Sequence, residues 1–121
     1  MKKILAILFV SIFVASCSLY KDNPIDRNEL ATMYSGYGIA LSAAVAYRNL
    51  PLCVKGGTKI CAKREVIVKI QNADKKVQLA LNEASNFVRN YPKLSPIAYI
   101  EAAKSSIRVF QAVLVENGLV K

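Results

Sequence analysis

The clearest pattern in the chain is a run of apolar residues at helical spacing in its centre. Between Lys63 and about Tyr91, apolar side chains recur at steps that alternate between four and three residues, the heptad spacing of a helix packed along a seam. Leu81 and Val88 widen this seam to the stripe that a bundle helix needs. The seam consists of Val66, Ile70, Ala73, Val77, Ala80, Ala84, Phe87 and Tyr91. The pattern predicts one long amphipathic helix, which Pro92 ends.

A second amphipathic helix is predicted before it, from Asp26 to about Asn49. The first four residues have the spacing of a capping box, in which Asp26 is the N-cap and Glu29 reaches back to it. The proline two residues after Asn49 ends the helix, because the residue before a proline avoids helical geometry. Gly36 and Gly38 should let a neighbouring helix approach closely, although each weakens a helix by roughly 1 kcal/mol relative to alanine. The inward positions are Met33, Tyr37, Ala40, Leu41, Ala44 and Tyr47.

A third helix is predicted after Ser95-Pro96, with the serine as N-cap and the proline as the first helical residue. Asn117-Gly118 ends it, because glycine readily adopts a left-handed cap conformation. The inward face consists of Ile97, Ile100, Ala103, Ile107, Phe110 and Leu114. Three such helices with two short connections predict an all-α fold, an up-down-up three-helix bundle over residues 26–121. The heptad seam would equally support a homo-oligomer, since heptads do not say whether their partner is in the same chain.

The first 18 residues have a different pattern. Lys2 and Lys3 precede an apolar run from Ile4 to Val14, and small residues then lead to Cys17. A positive start, a short apolar stretch and a small-residue site predict a secretory signal, shorter than the ~20 residues of a transmembrane helix. The tetrapeptide Val14-Ala15-Ser16-Cys17 resembles the lipobox of bacterial lipoproteins.

In that family the cysteine is alkylated with diacylglycerol, the leader is cut just before it, and the new amine is acylated in many species. The resemblance therefore implies a cleaved signal peptide over residues 1–16, a lipidated Cys17 and a tether that ends at Ile25. An aspartate after the cysteine often retains Gram-negative members at the inner membrane, so Ser18 implies export to the outer membrane. The expected location there is the periplasmic side. The alternatives are a plain signal peptide, an uncleaved anchor and a location at the inner membrane.

The cysteine count depends on this modification. Once Cys17 is lipidated, Cys53 and Cys61 remain as a pair in an oxidising compartment. If residues 56–58 (Gly-Gly-Thr) form a three-residue turn, the two cysteines face each other across a small hairpin. The spacing excludes a CxxC redox site, and a metal site would need further ligands in a chain without histidine. We therefore predict a structural disulfide between the first two helices, with no metal and no cofactor.

The composition predicts a basic domain. The chain has 17 basic and 8 acidic residues, and loss of Lys2 and Lys3 with the leader leaves a net charge of +7. For an exported protein, this charge favours anionic lipids, lipopolysaccharide or cell-wall polymers as partners, and nucleic acid is not expected. The densest cluster surrounds the hairpin and is predicted to bind anions; it consists of Lys55, Lys59, Lys63 and Arg64. The alternative is a solvated turn whose lysines keep the domain soluble.

Enzymatic chemistry is not indicated. The chain lacks histidine, the commonest general base, and its scattered carboxylates form no glycosidase-like pair. The tyrosines at helical spacing are predicted to pack rather than to form a ligand cage; they are Tyr34, Tyr37, Tyr47, Tyr91 and Tyr99. The stretch from Tyr47 to Cys53, followed by Cys61 and a long helix, resembles uncharacterised small helical envelope proteins of bacteria and phages, which implies no activity.

The predicted function is a non-enzymatic outer-membrane lipoprotein, held at the membrane by its lipid, that binds another envelope component, either a protein or an anionic polymer. One alternative is a phage- or plasmid-encoded envelope factor, such as an exclusion lipoprotein that masks a receptor. Another is a module that binds lipopolysaccharide or anionic lipid through the basic hairpin.

Overall fold

The computed structural model describes residues 24–121, so the predicted leader, Cys17 and residues 18–23 of the tether lie outside the described residues. Within this range the chain forms three helices, α1 (Pro24–Arg48), α2 (Arg64–Asn90) and α3 (Ile97–Glu116), and no strand. Each helix packs against both others, and α2 and α3 share the largest contact. The predicted all-α three-helix bundle is confirmed. None of the three helices combines the length and apolarity that crossing a membrane requires.

The core lies between one face of each helix. Its largest side chains with less than 2% exposure are Phe110, Leu81, Leu114 and Val77. Tyr37 of α1 reaches into this core, with its ring centroid 5.8 Å from that of Phe110. The predicted inward positions of α1 are buried or half-buried, and Leu30 extends them by one turn. Five of the six predicted inward residues of α3 are buried as well, whereas Ile97 is 65% exposed.

The buried stripe of α2 confirms most of the predicted seam. The seam residues Val66, Ile70, Ala73, Val77 and Ala84 are buried. Leu81, predicted to widen the stripe, is 1% exposed, while Ala80 lies at the half-buried edge. Tyr91, the last predicted seam residue, lies beyond the helix as the C-cap of α2 and is 53% exposed.

The start of α1 differs from the prediction. The helix begins at Pro24, so Asp26 lies within its first turn and is not the N-cap. A proline suits the first helical position, because its missing N–H would have had no intrahelical partner there. Glu29, predicted to reach back to the cap, instead forms an ion pair with Lys104 of α3. This pair ties the first turns of α1 to α3.

The predicted N-cap of α3 is wrong, whereas its predicted C-terminal cap is confirmed. Pro96 takes the N-cap position, and its carbonyl accepts the N–H of Ile100 at 3.0 Å, so the predicted serine cap is wrong by one residue. At the other end Gly118 has φ +72°, as predicted for a left-handed cap. The N–H groups of Gly118 and Leu119 donate to the carbonyls of Val115 and Leu114 at 3.0 and 2.9 Å. These two bonds are those of a Schellman motif.

Candidate functional site

The connection between α1 and α2 carries both the predicted disulfide and the predicted cation cluster. Cys53 and Cys61 are bonded, with their Cα atoms 4.9 Å apart, which confirms the predicted pair. We call residues 53–61 the disulfide loop. Its ends are held together by two backbone bonds, from Cys53 N–H to the Ala62 carbonyl at 3.0 Å and from Ala62 N–H to the Pro51 carbonyl at 2.8 Å. These bonds form a parallel bridge, so the two ends of the loop run in the same direction.

The turn at the tip of the loop differs from the predicted three-residue turn. It is a four-residue turn from Val54 to Gly57, in which Gly57 N–H donates to the Val54 carbonyl at 3.0 Å. Gly56 is its third residue and has φ +81°, the conformation that a type II turn requires there. The space beside Gly57 is tight, because a Cβ there would lie 3.0 Å from Val54 Cγ2 and 3.1 Å from the Val54 carbonyl oxygen. The turn at the tip therefore favours glycine at both positions.

The disulfide loop is fixed to the bundle beside its second cysteine. Ala62 has no exposed surface. The next residue, Lys63, is the N-cap of α2, and its N–H donates to the hydroxyl of Tyr47 at 2.8 Å. Tyr47 therefore joins the end of α1 to the start of α2. The helical spacing of the tyrosines predicted packing at this position but not this hydrogen bond.

The disulfide loop and its flank expose apolar side chains as well as charges. Residues 51–60 are all exposed. Leu52, Val54 and Ile60, which we call the loop apolar residues, expose 45%, 69% and 72% of their surface. Apolar surface in water is unfavourable, and clustered exposure of this kind often marks a binding surface. This exposed apolar surface could have been predicted from the sequence, because two β-branched residues directly flank the lysines of the loop.

The structure brings the four predicted cations to the same end of the bundle. Lys55 and Lys59 lie in the disulfide loop, Lys63 is the N-cap of α2, and Arg64 is its first residue. We call these four residues the loop cations, and all of them are exposed. Among the side chains of residues 27–121, their charged groups lie beyond ion-pair distance of any carboxylate, and the ion pairs in that range are made by Lys104.

The position of Lys63 and Arg64 is unfavourable for α2 itself. The N-terminus of a helix carries a partial positive charge, which favours nearby anions and disfavours nearby cations by about 0.3–1 kcal/mol each. Glu65, in the first turn, offsets part of this effect. Charges placed against the preference of their own helix indicate a role other than helix stability.

Two clefts in the described part of the bundle are less suited to a ligand. The cleft between α1 and α2 has a volume of about 70 Å³, far below the ~300 Å³ at which ligand pockets begin. A wider cleft of about 420 Å³ opens at the opposite end of the bundle, beside Phe87, Tyr91 and Tyr99. There the Phe87 ring stacks on Tyr99 at 4.5 Å and lies 5.2 Å from Tyr91, so the rings cover one another's faces. This geometry agrees with packing rather than with a ligand cage.

Tyr37 makes a partly buried polar contact between α1 and α2. Its hydroxyl donates to Asp74 Oδ1, and Gln78 Nε2 donates to Asp74 Oδ2 at 2.8 Å. Burial of the ring, together with the hydrogen bond to Asp74, raises the pKa of Tyr37 to about 12. The contact links α1 to α2.

Among residues 24–121, no three acidic or cysteine side chains come together in a way that would hold a metal ion. A scan against protein-family models and searches of curated proteins and of solved structures found no match to this chain.

Proposed function

We propose that this protein is a non-enzymatic lipoprotein of the bacterial outer membrane, anchored through Cys17, whose helical domain binds another envelope component. The observation that carries the proposal is the disulfide between Cys53 and Cys61. Structural disulfides are typical of oxidising compartments outside the cytoplasm. The pairing also leaves Cys17 as the third cysteine of the chain, at the end of the lipobox-like sequence.

The geometry of the bundle supports a division into an anchoring end and a binding end. Pro24, the first residue of α1, follows Cys17 by seven residues, a segment that spans at most ~25 Å when extended. The 25 residues of α1 make it roughly 37 Å long, and the disulfide loop follows its other end. The loop cations and the proposed lipid would therefore belong to opposite ends of the domain.

We assign no catalytic role to the domain. The chain has no histidine, and the disulfide removes the thiolates of Cys53 and Cys61 as nucleophiles. The surface features that the bundle does offer, exposed cations and exposed apolar side chains, are those of a binding protein.

The anchor is tested by metabolic labelling with palmitate in cells that express the full chain. We expect label in the wild type and in a Cys53→Ser/Cys61→Ser variant, but not in Cys17→Ser. The double variant is the matched control, because it also removes cysteines but leaves the lipobox intact. Separation of inner from outer membranes should place the wild type in the outer membrane, and Ser18→Asp should shift it to the inner membrane. Equal labelling of the wild type and Cys17→Ser would contradict the proposal.

A further inference from the structure

We propose that the disulfide loop inserts into the headgroup region of an anionic phospholipid bilayer. In this arrangement the loop cations bind lipid phosphates, and Val54 and Ile60 enter the boundary between headgroups and acyl chains. The inference rests on the proposed function in one respect, since it names the envelope component that the domain binds.

The first argument is the combination of side chains at one place. Val54 precedes Lys55 and Ile60 follows Lys59, so each lysine of the loop has an exposed β-branched neighbour. Solvated cations alone would explain the charges but not the apolar side chains, which expose 69% and 72% of their surface. Interfacial binding explains both, because it combines burial of apolar surface with attraction to anionic lipid.

The second argument is charge complementarity. The loop cations lie beyond ion-pair distance of the described carboxylates, so their charge is available to a ligand. Each basic residue near an anionic membrane surface contributes about a fivefold gain in binding. A phosphate at the start of α2 would also meet the positive end of the helix dipole, which the two basic residues there otherwise oppose.

The third argument is shape. The loop apolar residues lie among ten consecutive exposed residues, 51–60, and none of them lines either of the two clefts described above. An exposed loop tip suits penetration of a soft interface. The disulfide, the type II turn and the Tyr47 hydrogen bond fix the loop before it meets its ligand, which reduces the ordering entropy lost on binding.

Attachment at the loop would complement the proposed lipid anchor. A membrane anchor that combines acyl chains with a polybasic patch holds more stably than either signal alone. Since the two attachments would lie at opposite ends of α1, the bundle would lie along the membrane surface.

The test uses the mature chain, residues 17–121, with Cys17→Ser so that acyl chains play no part. Its partition is measured on vesicles of phosphatidylcholine with and without phosphatidylglycerol. We expect binding only to the anionic vesicles, and Lys55→Gln/Lys59→Gln should lower the partition coefficient about 30-fold. Lys75→Gln/Lys76→Gln removes the same charge from exposed positions in the middle of α2 and should have a much smaller effect.

Insertion of the disulfide loop into the bilayer is tested separately from its electrostatic attraction to the membrane surface. The chain contains no tryptophan, so Val54→Trp provides a single fluorescent probe at the tip of the loop. We expect a blue shift and quenching by brominated lipid in anionic vesicles, and neither for Val109→Trp, since Val109 is 52% exposed but lies in the middle of α3. Val54→Ser/Ile60→Ser should lower binding most at high salt, where charge attraction is screened.

Failure to bind anionic vesicles, equal loss in the two lysine pairs, or an unshifted Val54→Trp spectrum would each overturn the inference. The remaining explanations of the cation cluster would then be the binding of an acidic protein at the loop and a solvated turn whose lysines keep the domain soluble. Because the vesicle assay uses a chain without acyl groups and the palmitate assay does not involve the loop, a failure of this inference is distinguishable from a failure of the proposed anchor.

Discussion

Replacing Gly36 and Gly38 with alanine should stabilise the domain. Both glycines lie in the interior of α1, at least ten residues from either end. A Cβ built at either position meets no heavy atom within 4 Å. We predicted from the sequence that another helix packs closely on these two residues, and this prediction is wrong. The space beside them can accept a methyl group.

The magnitude follows from helix propensity alone. Alanine is favoured over glycine in a helix interior by roughly 0.5–1 kcal/mol, partly because it restricts the unfolded chain. Residues two apart on a helix point in different directions, so the two effects should add to about 1–2 kcal/mol. In a domain of about 100 residues, each kcal/mol raises Tm by about 4–8 °C.

The assay is thermal and urea unfolding of both single variants and of the double variant. Gly57→Ala is the contrasting control, because its Cβ would lie 3.0 Å from Val54 Cγ2 and should destabilise the loop. A Gly36→Ala or Gly38→Ala variant less stable than the wild type would refute the reasoning. Such a result would mean that another molecule occupies the space beside α1, and light scattering at the same concentration would show whether it is a second copy of the chain.

Three further predictions concern the core, the crosslink and pH. Phe110→Ala removes a ring with no exposed surface and should lower the free energy of unfolding in urea by about 3–5 kcal/mol. Cys53→Ser/Cys61→Ser should lower it by about 2–3 kcal/mol, as should reduction of the wild type, because the closed loop restricts the unfolded chain. Since folding raises the pKa of Tyr37 from 10.0 to about 12, its contribution to stability is complete below pH 10 and is lost as the pH rises towards 12. Tyr37→Phe should remove that part of the pH dependence of unfolding, and the most alkaline step in tyrosinate absorbance should disappear.

Helix positions could be predicted from the sequence because burial of one face is nearly all that a bundle helix requires. Each inward face follows from the spacing of its apolar residues, and α1 confirms its predicted face in full. Predictions for single positions were less accurate than predictions of the inward faces, because the local sequence determines single positions less strongly. At the middle of α2 both Ala80 and Leu81 are predicted on the inward stripe, and packing against the other helices buries Leu81 while Ala80 stays at the half-buried edge.

In the disulfide loop, more of the structure could not be predicted from the sequence. The disulfide between Cys53 and Cys61 could be predicted from the number of cysteines in the chain. The geometry of the turn could not, because two adjacent glycines allow either a three-residue or a four-residue turn. The parallel bridge at Ala62 depends on the directions of two packed helices, which no local pattern encodes. The hydrogen bond from Lys63 N–H to Tyr47 joins residues 16 positions apart, so it too depends on the packing of α1 against α2.

The length of this connection is the strongest reason to look for a function there. Helix–helix connections in bundles commonly need 2–8 residues, whereas 15 residues separate α1 from α2. Of these, residues 51–60 are exposed throughout and add nothing to the core, so the fold could be closed without them. A disulfide that fixes the shape of such a segment mainly fixes which side chains the segment presents to solvent and to ligands. The segment presents Lys55, Lys59 and apolar side chains that are unfavourable in water, beside Lys63 and Arg64, which are unfavourable at the start of α2. A ligand that is both anionic and apolar relieves both penalties at once.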